Sequence, residues 1–214
     1  MEHLEKKIAK GLLSIGAVFL RPQEPFTWAS GIKSPIYTDN RLILSAPDVR
    51  TRVERQMAEQ IQTAYPDVEM LMGTATAGIA HAALAAEILG LPMGYVRSGK
   101  KDHGRGNQIE GRMEPGTRVV VVEDLISTGG SVLETVEALR EAGADVLGIA
   151  CIFTYNMQKS KDRLQAEHVK WISLTDFDTV LETATKAGTI SEQDIPRLLR
   201  FRDNPSDESW MQRA

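Results

Sequence analysis

Four consecutive valines, Val119 to Val122, run straight into Glu123-Asp124-Leu125-Ile126-Ser127-Thr128-Gly129-Gly130-Ser131. A β-branched run of this kind reads as a strand buried on both faces, and the apolar positions after it, Val132, Val136 and Leu139, recur at helical spacing. The stretch is strand, polar loop, helix. Two carboxylates therefore stand at the carboxyl end of a central strand, followed by hydroxyls and glycines where the next helix presents its unsatisfied backbone N–H groups. Such a helix start attracts an anion. The loop has no lysine before its final serine, so it is not a Walker phosphate loop, and it lacks the G-x-G-x-x-G spacing of a dinucleotide site. Carboxylates repel phosphate, so their partner is something else on the same ligand: the vicinal hydroxyls of a ribose, or a hydrated metal ion. A sugar phosphate satisfies both halves of the motif.

Strand and helix patterns alternate around this segment. Leu4, Ile8, Leu12 and Ile15 form an amphipathic first helix that Gly16 stops, and Ser45-Ala46-Pro47-Asp48 opens a second with Val49, Val53, Met57 and Ile61 as its buried stripe. Strands are expected over 68–72, 93–96 and 146–153, with helices over 78–89, 132–142, 157–166 and 179–186. An extended segment is expected over 169–174. Ser191-Glu192-Gln193-Asp194 has the pattern of a capping box before a last helix, and the polar tail from Asn204 to Ala214 reads as loosely held. The alternation predicts an α/β fold, a doubly wound, mainly parallel sheet flanked by helices, in one domain over residues 1–214. A chain of 214 residues supports one good-sized core.

Composition narrows the class further. No apolar run approaches the roughly 20 residues that a membrane span needs, and Met1-Glu2-His3-Leu4-Glu5-Lys6-Lys7 lacks the apolar core of a secretory signal, so a cytoplasmic protein without membrane contact is expected. A net charge of −4 argues against nucleic-acid binding. The one cysteine, Cys151, lies in the apolar run Ile149 to Phe153 and reads as a small buried residue. Against this acidic background Arg97-Ser98-Gly99-Lys100-Lys101-Asp102-His103-Gly104-Arg105-Gly106-Asn107-Gln108-Ile109-Glu110-Gly111-Arg112 carries a local charge of +3 and four glycines. That composition suits a flap closing over an anion, although a solvated hairpin tip would share it.

The valine strand, Glu123-Asp124 and the Ser127 to Ser131 loop resemble the phosphoribosyl pyrophosphate signature of the type I phosphoribosyltransferases. The resemblance implies that the acidic pair holds the ribose hydroxyls while Ser127, Thr128, Gly129, Gly130 and Ser131 hold the 5-phosphate. Arg97, Lys101, Asp102 and His103 are similar to the catalytic loop of the orotate phosphoribosyltransferases. Phe26-Thr27-Trp28-Ala29-Ser30-Gly31-Ile32-Lys33-Ser34-Pro35-Ile36-Tyr37 resembles their amino-terminal hood, to which residues 1–45 would contribute, and Gly73-Thr74-Ala75-Thr76-Ala77-Gly78 resembles the loop facing pyrophosphate.

The expectation is thus transfer of ribose 5-phosphate from phosphoribosyl pyrophosphate to orotate, in pyrimidine biosynthesis. Lys101, Asp102 and His103 would be catalytic, and Arg97, Lys101 and His103 would meet the donor. The resemblance also implies Mg²⁺ carried by the substrate without direct protein ligands, Ser127 touching orotate, and a homodimer whose loop 97–112 works in the neighbouring subunit's site. Some family members have lysines at the positions of Ala29 and Ala77 and an arginine near Tyr155 that contacts the orotate carboxylate. Here Arg97, Lys100 and Lys101 are the candidates for pyrophosphate charge, and Lys33, Arg41 or backbone donors for the carboxylate. A purine or uracil phosphoribosyltransferase, and a regulatory protein that senses phosphoribosyl pyrophosphate, are the competing readings.

Overall fold

The computed structural model describes residues 3–27, 31–99 and 108–212. It opens with α1 (Leu4–Ser14), stopped at Gly16, whose φ of +69° suits glycine. Four short strands follow: β1 (Val18–Leu20), β2 (Phe26–Thr27), β3 (Lys33–Ser34) and β4 (Ile36–Thr38). They pair as two small antiparallel ribbons, β1 with β4 and β2 with β3. A 3₁₀ turn over Asn40–Ser45 leads into α2 (Pro47–Ala64), where proline occupies the first turn and costs no hydrogen bond.

The remaining elements alternate as β5 (Met70–Thr74), α3 (Ala77–Leu89), β6 (Met93–Val96), β7 (Ile109–Glu110), β8 (Arg118–Ile126), α4 (Gly130–Glu141), β9 (Asp145–Thr154), α5 (Gln158–Ala166), β10 (Trp171–Asp176), α6 (Phe177–Lys186) and α7 (Ile195–Asp203). Their strands form one sheet in the order β10-β9-β8-β5-β6-β7, parallel throughout except for β7 at the edge. This is the doubly wound, mainly parallel α/β sheet that the alternation predicts. No described helix is long and apolar enough to cross a membrane.

The valine run shows why β8 is central. Val120 and Val122 pack into the core on one side of the sheet, Val119 and Val121 into the core on the other, and all four are fully buried. Alternation with a period of two delivers successive side chains to opposite faces, so only a strand covered on both sides accepts such a run. Cys151, on the neighbouring β9, is likewise fully buried.

Several boundaries differ from the sequence expectation by one or two residues. The strands expected over 68–72 and 169–174 lie at Met70–Thr74 and Trp171–Asp176, because register with β8 and β9 decides which residues join the ladder. Helix α6 starts two residues early, since Asp176 caps it by accepting from the Thr179 amide at 2.8 Å. The tail is not loose as far as Gln212: Trp210 is 1% exposed and meets Phe201 edge-on at 5.6 Å. Arg197 secures this turn by donating to the carbonyls of Trp210 and Met211 at 3.1 and 3.3 Å. One large aromatic outweighs the polar residues around it. Trp210→Ala should therefore lower unfolding free energy by about 3–5 kcal/mol in a denaturant titration, whereas a loose tail would leave it unchanged.

Candidate active site

Two strands part at the carboxyl edge of the sheet. The ladder between β5 and β8 ends at Gly73 and Val122, while β8 stays paired with β9 as far as Ile126 and Thr154. The connection from β5 runs to β6 on one side, and the chain then returns across β5 to β8 on the other. The gap between β5 and β8 is the point where strand order reverses, and in open α/β sheets ligands bind in the crevice at such a point. Glu123 is the first residue beyond the divergence.

Two glycines let the β5 to α3 turn fold into this gap. A Cβ at Gly78 would collide with the carbonyl oxygen of Val122, and one at Gly73 would lie 2.8 Å from the Ile79 Cα. The start of α3 thus presses directly against the end of β8. The Ala75–Thr76 peptide in this turn is cis.

Glu123 is 4% exposed. Its Oε1 accepts the backbone amide of Asp124 at 2.9 Å, and its Oε2 is buried without a hydrogen-bond partner. Burial, reinforced by the adjacent Asp124, pushes the Glu123 carboxyl well above the usual glutamate range. Thr74 lies close enough to favour the ionised form, yet its hydroxyl completes no hydrogen bond. Asp124 is half-buried, and its carbonyl is held by the Asn40 side-chain amide at 2.7 Å. A buried carboxylate oxygen lacking a donor, beside a half-exposed carboxylate, is arranged to accept hydroxyl groups from a ligand.

The turn after β8 completes the motif. Gly129 caps α4 with φ +79°, a conformation that favours glycine, and Gly130 begins the helix. Arg163 reaches over from α5 to donate to the Thr128 carbonyl at 3.3 Å. Ser127, Thr128, Gly129, Gly130 and Ser131 thus share one turn, whose free amides face the positive end of a twelve-residue helix.

Beside this turn lies a cleft of about 530 Å³. Ile32, Tyr37 and Thr38 from the amino-terminal ribbons form one wall, Leu125, Ser127 and Thr128 the floor, and Tyr155, Met157 and Lys159 another side. Arg202, Asp203, Asn204, Pro205 and Ser206 close it from the end of α7. Tyr155 is buried and bonded to the Thr38 hydroxyl at 3.2 Å; burial holds its phenol at about 12, so it stays neutral. A larger hollow of about 640 Å³ between residues 20–24 and 188–194 contains neither the acidic pair nor the glycine turn, and its Asp194 is engaged by Gln23 and Ser191 at 2.8 Å each.

Among the residues singled out in the sequence, Glu123, Asp124 and Ser127 to Ser131 come together here. Arg97 stands at the same edge of the sheet, just beyond β6, bound to Glu110 at 3.2 Å. Lys100, Lys101, Asp102 and His103 lie outside the described residues, as do Trp28, Ala29 and Ser30. Neither candidate for the carboxylate lines the cleft: Lys33 donates to the Thr27 hydroxyl at 2.7 Å, and Arg41 forks onto Asp39 at 2.7 and 2.9 Å. Asn40, Lys159 and Arg202 were not legible as site residues, because nothing in their local sequence brings them to the end of β8.

The family model described as phosphoribosyl transferase domain matches residues 41–181. Orotate phosphoribosyltransferase of Bacillus pumilus is 56% identical over 209 residues, covering 98% of this chain and 99% of that protein. The chain belongs to the orotate phosphoribosyltransferase family. A second member, from Bacillus cytotoxicus, is 54% identical over 208 residues, covering 97% of this chain and 99% of that protein. The crystal structure of orotate phosphoribosyltransferase from Aeropyrum pernix superposes with a TM-score of 0.75 at 31% identity, covering 86% of this chain and 99% of that one. In this orotate phosphoribosyltransferase-family chain the buried acid has a consequence for stability. Below the unfolded-state value near 4.5, Glu123 is neutral in both states; as pH rises, the unfolded chain ionises first and the folded protein loses stability. Unliganded Glu123→Gln should therefore be more stable than the parent at neutral pH, by a margin that closes below about pH 4.5 in urea melts across pH. A margin independent of pH would contradict a raised Glu123.

Proposed function

We infer that the chain transfers ribose 5-phosphate from phosphoribosyl pyrophosphate to orotate, forming orotidine 5-monophosphate and pyrophosphate. The observation that carries this reading is the junction of a buried glutamate with its half-buried aspartate neighbour, a glycine-capped helix start and a cleft, all beside the gap between β5 and β8. The family match supports a phosphoribosyl donor, and the two Bacillus relatives support orotate as the acceptor.

In this reading the backbone of residues 127–131 and the start of α4 hold the 5-phosphate, and Glu123 and Asp124 accept the ribose hydroxyls. The bond from C1 of the sugar to the pyrophosphate oxygen breaks, and its electron pair leaves with pyrophosphate. A ring nitrogen of orotate bonds to C1 and sheds its proton, for which Asp102 is the acceptor. Positive charge grows on the sugar and negative charge on the leaving group, so catalysis is largely electrostatic. Lys101, with Arg97 and His103, neutralises the leaving pyrophosphate, and closure of loop 97–112 keeps out water that would hydrolyse the donor. The strands on either side of that loop, β6 and β7, pair antiparallel at one edge of the sheet, and in this reading the loop between them serves the neighbouring subunit.

The oxygen-rich end of β8 fits magnesium. In this reading the substrate's own oxygens and water would hold the ion, since magnesium rarely takes an all-protein cage, and Glu123 and Asp124 need not ligate it directly. When bound, it supplies neutralising charge to the pyrophosphate. A homodimer belongs to the same reading, as does the cytoplasm, which keeps the Cys151 thiol reduced.

Orotate absorbance should fall when the protein meets phosphoribosyl pyrophosphate and magnesium, while adenine, hypoxanthine and uracil stay unconsumed. Persistent orotate would reject the assignment. Lys101→Ala should lower kcat by about 10²- to 10³-fold. Mixing Lys101→Ala with Glu123→Ala subunits should restore one intact site per heterodimer; mixtures as inactive as either parent would show that the loop does not serve its neighbour.

A further inference from the structure

Orotate is uracil bearing a carboxylate, so a cation at the cleft that receives the ring would favour orotate over uracil. The cleft beside the phosphate turn is mostly uncharged along its walls: Ile32, Leu125, Tyr155 and Met157 suit a flat heterocycle, and the Tyr155 phenol brings no charge. Two basic side chains line it, Lys159 and Arg202. Their circumstances differ. Arg202 is neutralised twice, by Asp178 at 2.5 Å and by Asp203 at 2.8 Å, and its guanidinium is committed to those acids. Lys159 is exposed to the cleft, and no acidic side chain pairs with it among the described residues.

Its place in the chain points the same way. Lys159 is the second residue of α5, whose first turn contains no acid. A lysine there opposes the helix dipole and gains nothing from the helix itself. It adds instead to the positive potential at the mouth of the cleft, where a ligand carboxylate would relieve the repulsion.

Building on the orotate reading, we propose that Lys159 is the specificity-determining residue that meets the carboxylate of the acceptor base, in a cleft whose other cation is already neutralised. The Lys159 ammonium binds the carboxylate as a charge-assisted pair. Tyr155 and Met157 flank the ring, and the ring nitrogen faces the sugar held at Glu123 and Asp124.

The test compares two nucleotides that differ only by this carboxylate, orotidine 5-monophosphate and uridine 5-monophosphate, titrated calorimetrically into the full-length protein. The parent should prefer the orotate nucleotide. Lys159→Met should weaken that nucleotide by about 10- to 100-fold, leave the uridine nucleotide and the KM for phosphoribosyl pyrophosphate unchanged, and raise the KM for orotate in step. Lys159→Arg should keep most of the preference. Equal weakening of both nucleotides would place Lys159 on the phosphate and overturn the proposal, as would unchanged binding of both or a parent that binds them equally. A parent that fails to consume orotate would instead strike the functional reading itself.

Discussion

The placement of β8 between two hydrophobic cores governs the rest of this structure. Val119 to Val122 are sealed on alternate faces, and over that stretch the strand is hydrogen-bonded to β5 on one side and to β9 on the other. One residue later the β5 ladder stops. Glu123 therefore emerges from the most constrained part of the fold into a gap that the topology leaves open. Its position is fixed by valine packing and backbone pairing, and no side-chain contact of its own is needed to hold it. The consequence is a carboxylate that is both accurately placed and poorly solvated, with one oxygen satisfied by the Asp124 amide and the other without a donor. A fold pays for such a group with stability that its cores supply elsewhere.

Around this fixed point the site is assembled from parts of graded stiffness. The carboxylates belong to a central strand, and the anion-binding turn belongs to the first turn of α4, where Gly129 supplies the only conformation that brings the backbone round. Gly73 and Gly78 let the opposite loop approach until backbone touches backbone, which no larger residue permits. The cleft walls are softer, drawn from short two- and three-residue strands at the amino terminus and from the turn after α7. That turn is anchored in its own way: Arg197 and the buried Trp210 tie the following segment back to α7.

Legibility in the sequence follows the same gradient. The β8 to α4 junction was readable because its strand, carboxylates, hydroxyls and glycines are contiguous, and each residue type has a local physical reason to be there. The helix and strand order was readable for the same cause, with errors of about two residues where pairing register, as in β5 and β10, outweighs local preference. The Asp176 cap was missed because Asp178 stands two residues later, directly before the expected helix start, and either aspartate could serve as the cap. The tail was misjudged because its mostly polar residues concealed what one tryptophan contributes once Phe201 and Arg197 are beside it.

The charge of the cleft is the part that no local reading could supply. Lys33 and Arg41 belong to the hood in sequence and look available, yet Lys33 donates to Thr27, Arg41 forks onto Asp39, and neither lines the cleft. Arg202 sits on the cleft wall, yet Asp178, 24 residues earlier, and its neighbour Asp203 cancel it. Whether a basic residue acts on a ligand depends on which acids the fold places against it, and that is a property of the tertiary structure. Lys159 differs from Arg41 and Arg202 because no acid pairs with it among the described residues, and from Lys33 because it lines the cleft; the helix on which it stands gains nothing from a cation in its first turn. A site that carries a surplus charge against the interest of its own helix is best understood from the ligand's side: the missing counter-charge arrives with the acceptor.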